Sequence, residues 1–114
     1  DELDLNEYQS FDEVMQRYPD GVFFFCTTKA KHTYSDVRYT DYADKDIFLV
    51  FGKETKGLPE ELLAEHYESC IRIPMKEHMR SLNLSNSVAI IAYEVLRQFG
   101  FEHLKQDGEL TKQH

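Results

Sequence analysis

An α/β domain with a largely parallel sheet is the fold that this chain of 114 residues predicts. Three apolar runs of strand length, Val22–Cys26, Ile47–Phe51 and Cys70–Ile73, alternate with segments of helical spacing. The first two are apolar at every position, the mark of strands covered on both faces, as parallel strands with crossover helices are; the third is shorter and carries Arg72. The third observation is a closing stripe, Val88, Ile91, Ala92, Val95, Leu96 and Phe99, at steps of three and four. That is the spacing of one buried helix face.

The elements follow in order. Residues 1–9 are acidic and polar and read as a lead-in loop. Ser10 and Glu13 have capping-box spacing, and Phe11, Val14 and Met15 mark one face of a short helix. Pro19, Asp20 and Gly21 form a turn before the first strand. The polar, tyrosine-rich stretch from Lys29 to Asp46 has room for a short edge strand near Val37–Tyr39. After the second strand, Pro59 stands at the first position of a helix, with Glu60 and Glu61 in its first turn. Pro74 ends the third strand. Ser85 is the expected cap of the last helix, which runs to Phe99 and stops at Gly100. Residues 105–114 form a polar tail.

Hydrophobic residues make up 41% and charged residues 30%, the balance of an ordinary globular domain. No apolar run approaches the roughly 20 residues of a membrane span, and no charged-then-apolar leader is visible. A cytoplasmic protein without membrane contact is therefore expected. Cys26 and Cys70, far apart and without CxxC spacing, read as two reduced thiols. The net charge of −8 speaks against a nucleic-acid partner, because phosphate contacts draw on Lys and Arg. The acids cluster, however: Asp1, Glu2, Asp4 and Glu7 at one end, and Asp41, Asp44 and Asp46 in one loop. Lys53, Lys56, Arg72, Lys76, Arg80 and Arg97 fall in or beside the segments that carry chemistry.

Ligands of such sheets gather beyond the carboxyl ends of the strands. Three loops qualify: Cys26-Thr27-Thr28, Phe51 to Gly57, and Pro74 to Asn86. In the second, Gly52 and Gly57 allow close backbone approach or a positive φ. Taken alone, two glycines after a strand are more often simply a tight turn. Their spacing mimics a phosphate-binding loop, but Leu58-Pro59 stands where Lys-Ser/Thr is required, which excludes ATP or GTP hydrolysis. In the third, Ser81, Asn83, Ser85 and Asn86 crowd small hydrogen-bonding groups before a helix, a cradle for a polar ligand. Helix capping accounts for one or two of them, not for four. His66 and Cys70 are four apart, yet no second ligand pair accompanies them, so no metal is expected and His66 reads as a surface histidine. Tyr34, Tyr39 and Tyr42 could stack on bases, although packing on their own domain is the plainer reading.

Taken together, Phe51-Gly52-Lys53-Glu54-Thr55-Lys56-Gly57-Leu58-Pro59 and Ile71-Arg72-Ile73-Pro74-Met75 with Ser81-Leu82-Asn83-Leu84-Ser85-Asn86 resemble the second and third motifs of the SPOUT methyltransferases, SpoU-like branch. Thr27-Thr28-Lys29 and Tyr93-Glu94 also match. The nearest subgroup is the minimal enzyme that methylates the ribose 2′-hydroxyl at the tRNA wobble position. The resemblance implies a parallel sheet flanked by helices with a C-terminal trefoil knot over roughly 47–99, in a domain spanning 1–104. It implies S-adenosylmethionine held by Cys26, Gly52, Gly57, Ile73, Met75, Ser81 and Leu82, with Glu54 and Asn83 orienting the catalytic site. It also implies tRNA as substrate and a homodimer through the last helix. The family's first motif, an Asn-Thr-Gly-Asn segment with a downstream arginine, has no match in residues 1–20, and the chain opens on Asp1. The N-terminal strand–helix unit is therefore expected to be absent here. A non-catalytic module that dimerises or only binds the cofactor is the alternative that this departure and the acidic charge favour.

Overall fold

The computed structural model describes residues 11–52, 57–76 and 83–110, the side chain of Asp12 excepted. Its elements are α1 (Phe11–Arg17), β1 (Val22–Cys26), β2 (His32–Thr33), β3 (Ile47–Phe51), α2 (Glu60–Glu65), β4 (Cys70–Arg72) and α3 (Leu84–Gln98). Single 3₁₀ turns occupy Tyr34–Asp36, Tyr39–Tyr42 and Tyr67–Ser69. The four strands form one sheet in the order β2-β4-β1-β3, and every neighbouring pair is parallel.

Side-chain alternation sorts the apolar runs into two cores. Phe24 of β1 and Ile71 of β4 pack with Tyr39 and with Ile91 and Val95 of α3, joined by Val22, Cys26, Leu49 and Phe51. Phe25 and Cys70 point the other way, onto Leu63 of α2, with Phe11 of α1 and Phe23 packed alongside. A strand apolar at every position thus serves two layers at once. Phe24, Phe25 and Ile71 are each at least 95% buried, which stabilises the fold by about 1.5–3 kcal/mol per side chain.

The three long strands lie where the apolar runs place them, with β4 ending at Arg72, one residue short of the expected Ile73. The short edge strand is His32–Thr33, not Val37–Tyr39. Tyr39 is drawn into the core instead: its ring is fully buried edge-on against Phe24, and its hydroxyl donates to the Tyr34 carbonyl at 2.7 Å. Pro59 is the N-cap of α2, with extended ψ of 139°, and not its first helical residue. Asn83, rather than Ser85, caps α3, and the helix closes at Gln98 before Gly100 turns with φ of +75°. Met15 of α1 is 39% exposed and so lies off the face shared by Phe11 and Val14. The expected lead-in loop and the Ser10 cap lie outside the described residues.

Candidate functional site

Parallel pairing brings the carboxyl ends of three strands side by side. Cys26 stands opposite Phe51 on one side and Ile71 on the other. One residue further, the Thr27 N–H donates to the Ile71 carbonyl at 2.9 Å, extending the β1–β4 pairing past the strand end. Gly52 follows Phe51 directly, and Ile73 lies two residues beyond Ile71, so Cys26, Gly52 and Ile73 share one rim of the sheet. Met75 follows Ile73 across Pro74 and is half-buried.

The two loop glycines have different physical reasons. A Cβ on Gly52 would lie 2.3 Å from the Gly57 carbonyl carbon and 2.5 Å from the Leu58 nitrogen, so the loop leaves and returns past the same point. Only a residue without a side chain permits that approach. Gly57 has φ of +66°, with nothing within 4 Å of a built Cβ, so there the backbone angle is what favours glycine. The loop is pinched at its base, and its tip, residues 53–56 with Glu54, lies outside the described residues. Ser81 and Leu82 lie outside them too.

Cys26 is no nucleophile. Burial, reinforced by the nearby Cys70, pushes its thiol far above the usual cysteine range, so it stays protonated and neutral. What it offers a ligand is backbone and a small side chain. Asn83 caps a helix: its side-chain oxygen accepts the Asn86 N–H at 2.9 Å, closing the first turn of α3. Its NH₂ has no partner among the described residues.

Beside this rim, at the β2 edge, lies a charged cluster that the amino-acid order did not announce. Lys29 pairs with Glu60; Lys31 and His32 meet Glu68 at 2.8 and 3.2 Å. Hydrogen bonds from Lys31 first, then His32, hold the Glu68 carboxyl below its usual range, and Lys29 does the same for Glu60. Arg72 donates to the Thr28 carbonyl at 2.9 Å. The Tyr67 hydroxyl donates to the Lys29 carbonyl at 2.9 Å. These partners lie 31 to 44 residues apart in the chain, and only the fold joins them.

His66 lies at the surface with one side of its ring covered: the side chain keeps 31% of its exposure, and Nε2 stands 3.8 Å from the Glu65 carboxylate. Its ring stacks on Phe25 at 4.9 Å and stands edge-on to Phe11, while the Cys70 thiol donates to its carbonyl at 3.5 Å. Among the described residues no group of three or more His, Cys, Asp and Glu is placed to hold a metal ion. No helix of the described residues is long and apolar enough to cross a membrane. An open depression between Arg17 and Asp46 lies at the amino ends of β1 and β3, opposite the strand-end rim.

Comparison with known proteins agrees with this geometry. Residues 1–93 match the SpoU rRNA Methylase family. A protein of Listeria monocytogenes serotype 4b, named provisionally as a tRNA (cytidine(34)-2′-O)-methyltransferase, is 50% identical over 107 residues, 94% of this chain and 63% of its own length. The crystal structure of a protein of Bacillus anthracis, described provisionally as an RNA methyltransferase, superposes with a TM-score of 0.81 at 39% identity, covering 88% of this chain and 62% of that one. A SpoU methyltransferase of Streptomyces viridochromogenes, solved in complex with AdoMet, gives a TM-score of 0.65 at 25% identity, covering 81% of this chain and 37% of that one. The four-stranded parallel sheet with its helices is thus a methyltransferase fold, and its cofactor in that relative is S-adenosylmethionine. The chain belongs to the SpoU methylase family. It spans just under two thirds of the length of the curated relatives it matches.

Proposed function

We propose that this chain forms the S-adenosylmethionine-binding part of a cytoplasmic enzyme that methylates a tRNA ribose 2′-hydroxyl at the anticodon wobble nucleotide. The observation that carries the reading is the shared rim of three strand ends, with the pinched Gly52–Gly57 loop at its edge. The half-buried, neutral thiol of Cys26 presents only a small side chain at this rim, and Gly57 adds none, which fits a nucleotide cofactor. Cys26, Gly52, Gly57, Ile73 and Met75 would hold it, with Ser81 and Leu82 closing the pocket; the domain spans 1–104, with a trefoil knot over roughly 47–99. When bound, S-adenosylmethionine supplies an electrophilic methyl group, and the protein's main contribution is alignment of the two reactants. Glu54 and Asn83 orient that site. Because Asn83 gives its oxygen to the helix cap, its NH₂ is the group that faces a substrate oxygen. No metal takes part.

The enzyme works as a homodimer through α3. Ile90 and Tyr93 lie exposed on that helix, on the side away from the buried Ile91 and Val95, and a second copy would cover them. The decisive experiment uses the natural full-length protein, labelled S-adenosylmethionine and bulk tRNA, with the modified nucleoside identified by mass spectrometry. Label at the wobble ribose supports the reading. Cofactor binding without transfer would establish the non-catalytic module instead. Sedimentation of Tyr93→Glu tests the dimer.

A further inference from the structure

We propose that the β2 edge, with Tyr67 at its centre, is a contact surface for the single-stranded RNA of the substrate's loop; this rests on the tRNA reading above. Tyr67 is 38% exposed, large for an aromatic side chain without a role in the core. Its hydroxyl is tied to the Lys29 carbonyl, so the ring is held still at the surface. The Lys31 ammonium stands 5.8 Å from the ring centroid. Lys31 stands over the ring, the Lys29 backbone holds its hydroxyl, and Arg72 reaches the same loop through the Thr28 carbonyl. A fixed, exposed ring among cations is the arrangement on which unpaired bases stack while phosphates meet the charges.

The surface is also in the right place. β2 pairs with β4, His32 opposite Ile71 and Thr33 opposite Arg72, and β4 pairs with β1 at Cys26. The ring and its cations therefore adjoin the rim assigned to the cofactor, where a reacting ribose has to arrive. Glu60 and Glu68 partly mask the cations in the free protein. Both are about three-quarters exposed, and ion pairs of that kind are weak and screened by salt, so a phosphate displaces them. Masking of this sort keeps an acidic protein from holding RNA indiscriminately.

The test measures binding of an anticodon stem-loop RNA to the full-length protein across a salt series, with cofactor titration as the control for an intact site. Tyr67→Ala should weaken RNA binding about tenfold and leave the salt slope nearly unchanged, as lost stacking does. Lys31→Gln should weaken binding and reduce the log–log salt slope by about one phosphate contact. Glu68→Gln should tighten it. Because Lys31 and Glu68 are exposed, the proposal stays decidable if Tyr67→Ala fails to fold. If the wild type binds RNA and the variants bind it equally well, the surface is wrong and the tRNA reading stands. If the wild type binds no RNA, both fall. If the variants change the molecular mass and not RNA binding, the edge is a protein contact and the proposal is overturned.

Discussion

Gln98, in the last turn of α3, accepts the backbone N–H of Tyr39 on its side-chain oxygen at 2.8 Å. The same amide donates to the Val37 carbonyl and to Glu94, each at 2.8 Å. One glutamine thus does for the 37–39 segment what a neighbouring strand would otherwise do. The segment that looked like an edge strand is paired, but with a helix side chain 59 residues away.

Removing that amide leaves a part-buried N–H and a carbonyl without partners. Gln98→Leu should lower the free energy of unfolding by about 1–3 kcal/mol, read from urea denaturation. An unchanged midpoint and slope would show that solvent satisfies both groups.

The two loop glycines should respond differently to the same substitution. Gly52→Ala drives a Cβ into backbone 2.3 Å away, and a cost of about 1–3 kcal/mol is expected because that backbone cannot yield as a side-chain tip can. Gly57→Ala has open space and loses only the preference for φ > 0, about 1–2 kcal/mol, much of which Gly57→Asn should recover. Thermal unfolding without cofactor, followed by calorimetric cofactor titration, checks both. Asn and Ala costing the same at 57 would contradict the backbone explanation.

Asn83 combines a structural role with a proposed chemical one, and the two are separable. Asn83→Ala should cost about 1 kcal/mol of stability through the lost cap. Asn83→Asp keeps an oxygen for the Asn86 N–H and should restore that stability. Methyl transfer by the Asp variant then isolates the amide: continued loss assigns it to catalysis, whereas full recovery leaves it a cap alone.

Glu94 should make the fold sensitive to acid. Hydrogen bonds from Arg97 first, then from Gln98, hold its carboxyl below the usual range despite opposing desolvation. A carboxyl depressed in the folded state adds stability that is fully present above its unfolded pKa and disappears as pH falls through the lower, folded value. The stability gap between wild type and Glu94→Gln should therefore be constant near neutrality and close only at acid pH. A gap that closes near neutral pH would assign the effect to another group.

Much of this architecture is written locally. Val22–Cys26 and Ile47–Phe51 are apolar throughout because each strand feeds two cores, and that pattern survives any rearrangement of the rest. The α3 stripe and its Gly100 stop are equally local. The close approach at Gly52 and the positive φ at Gly57 were legible as glycine requirements, because both are properties of the local backbone. The 37–39 segment was misread, and the ring stack of His66 on Phe25 went unseen, for one reason: that stack and the clamp from Gln98 depend on residues distant in the chain.

Hydrophobic periodicity and chain stereochemistry act over a few residues, so strands, helices and the candidate loops could be named from residue order alone. Which strands become neighbours, which polar group meets which, and that Lys29, Lys31, His32, Tyr67 and Arg72 end on one edge depend on contacts spanning 31 residues or more. Such contacts form only when burial of the apolar strands has offset the entropy of closing the intervening loops, and no short window of residue types encodes that outcome.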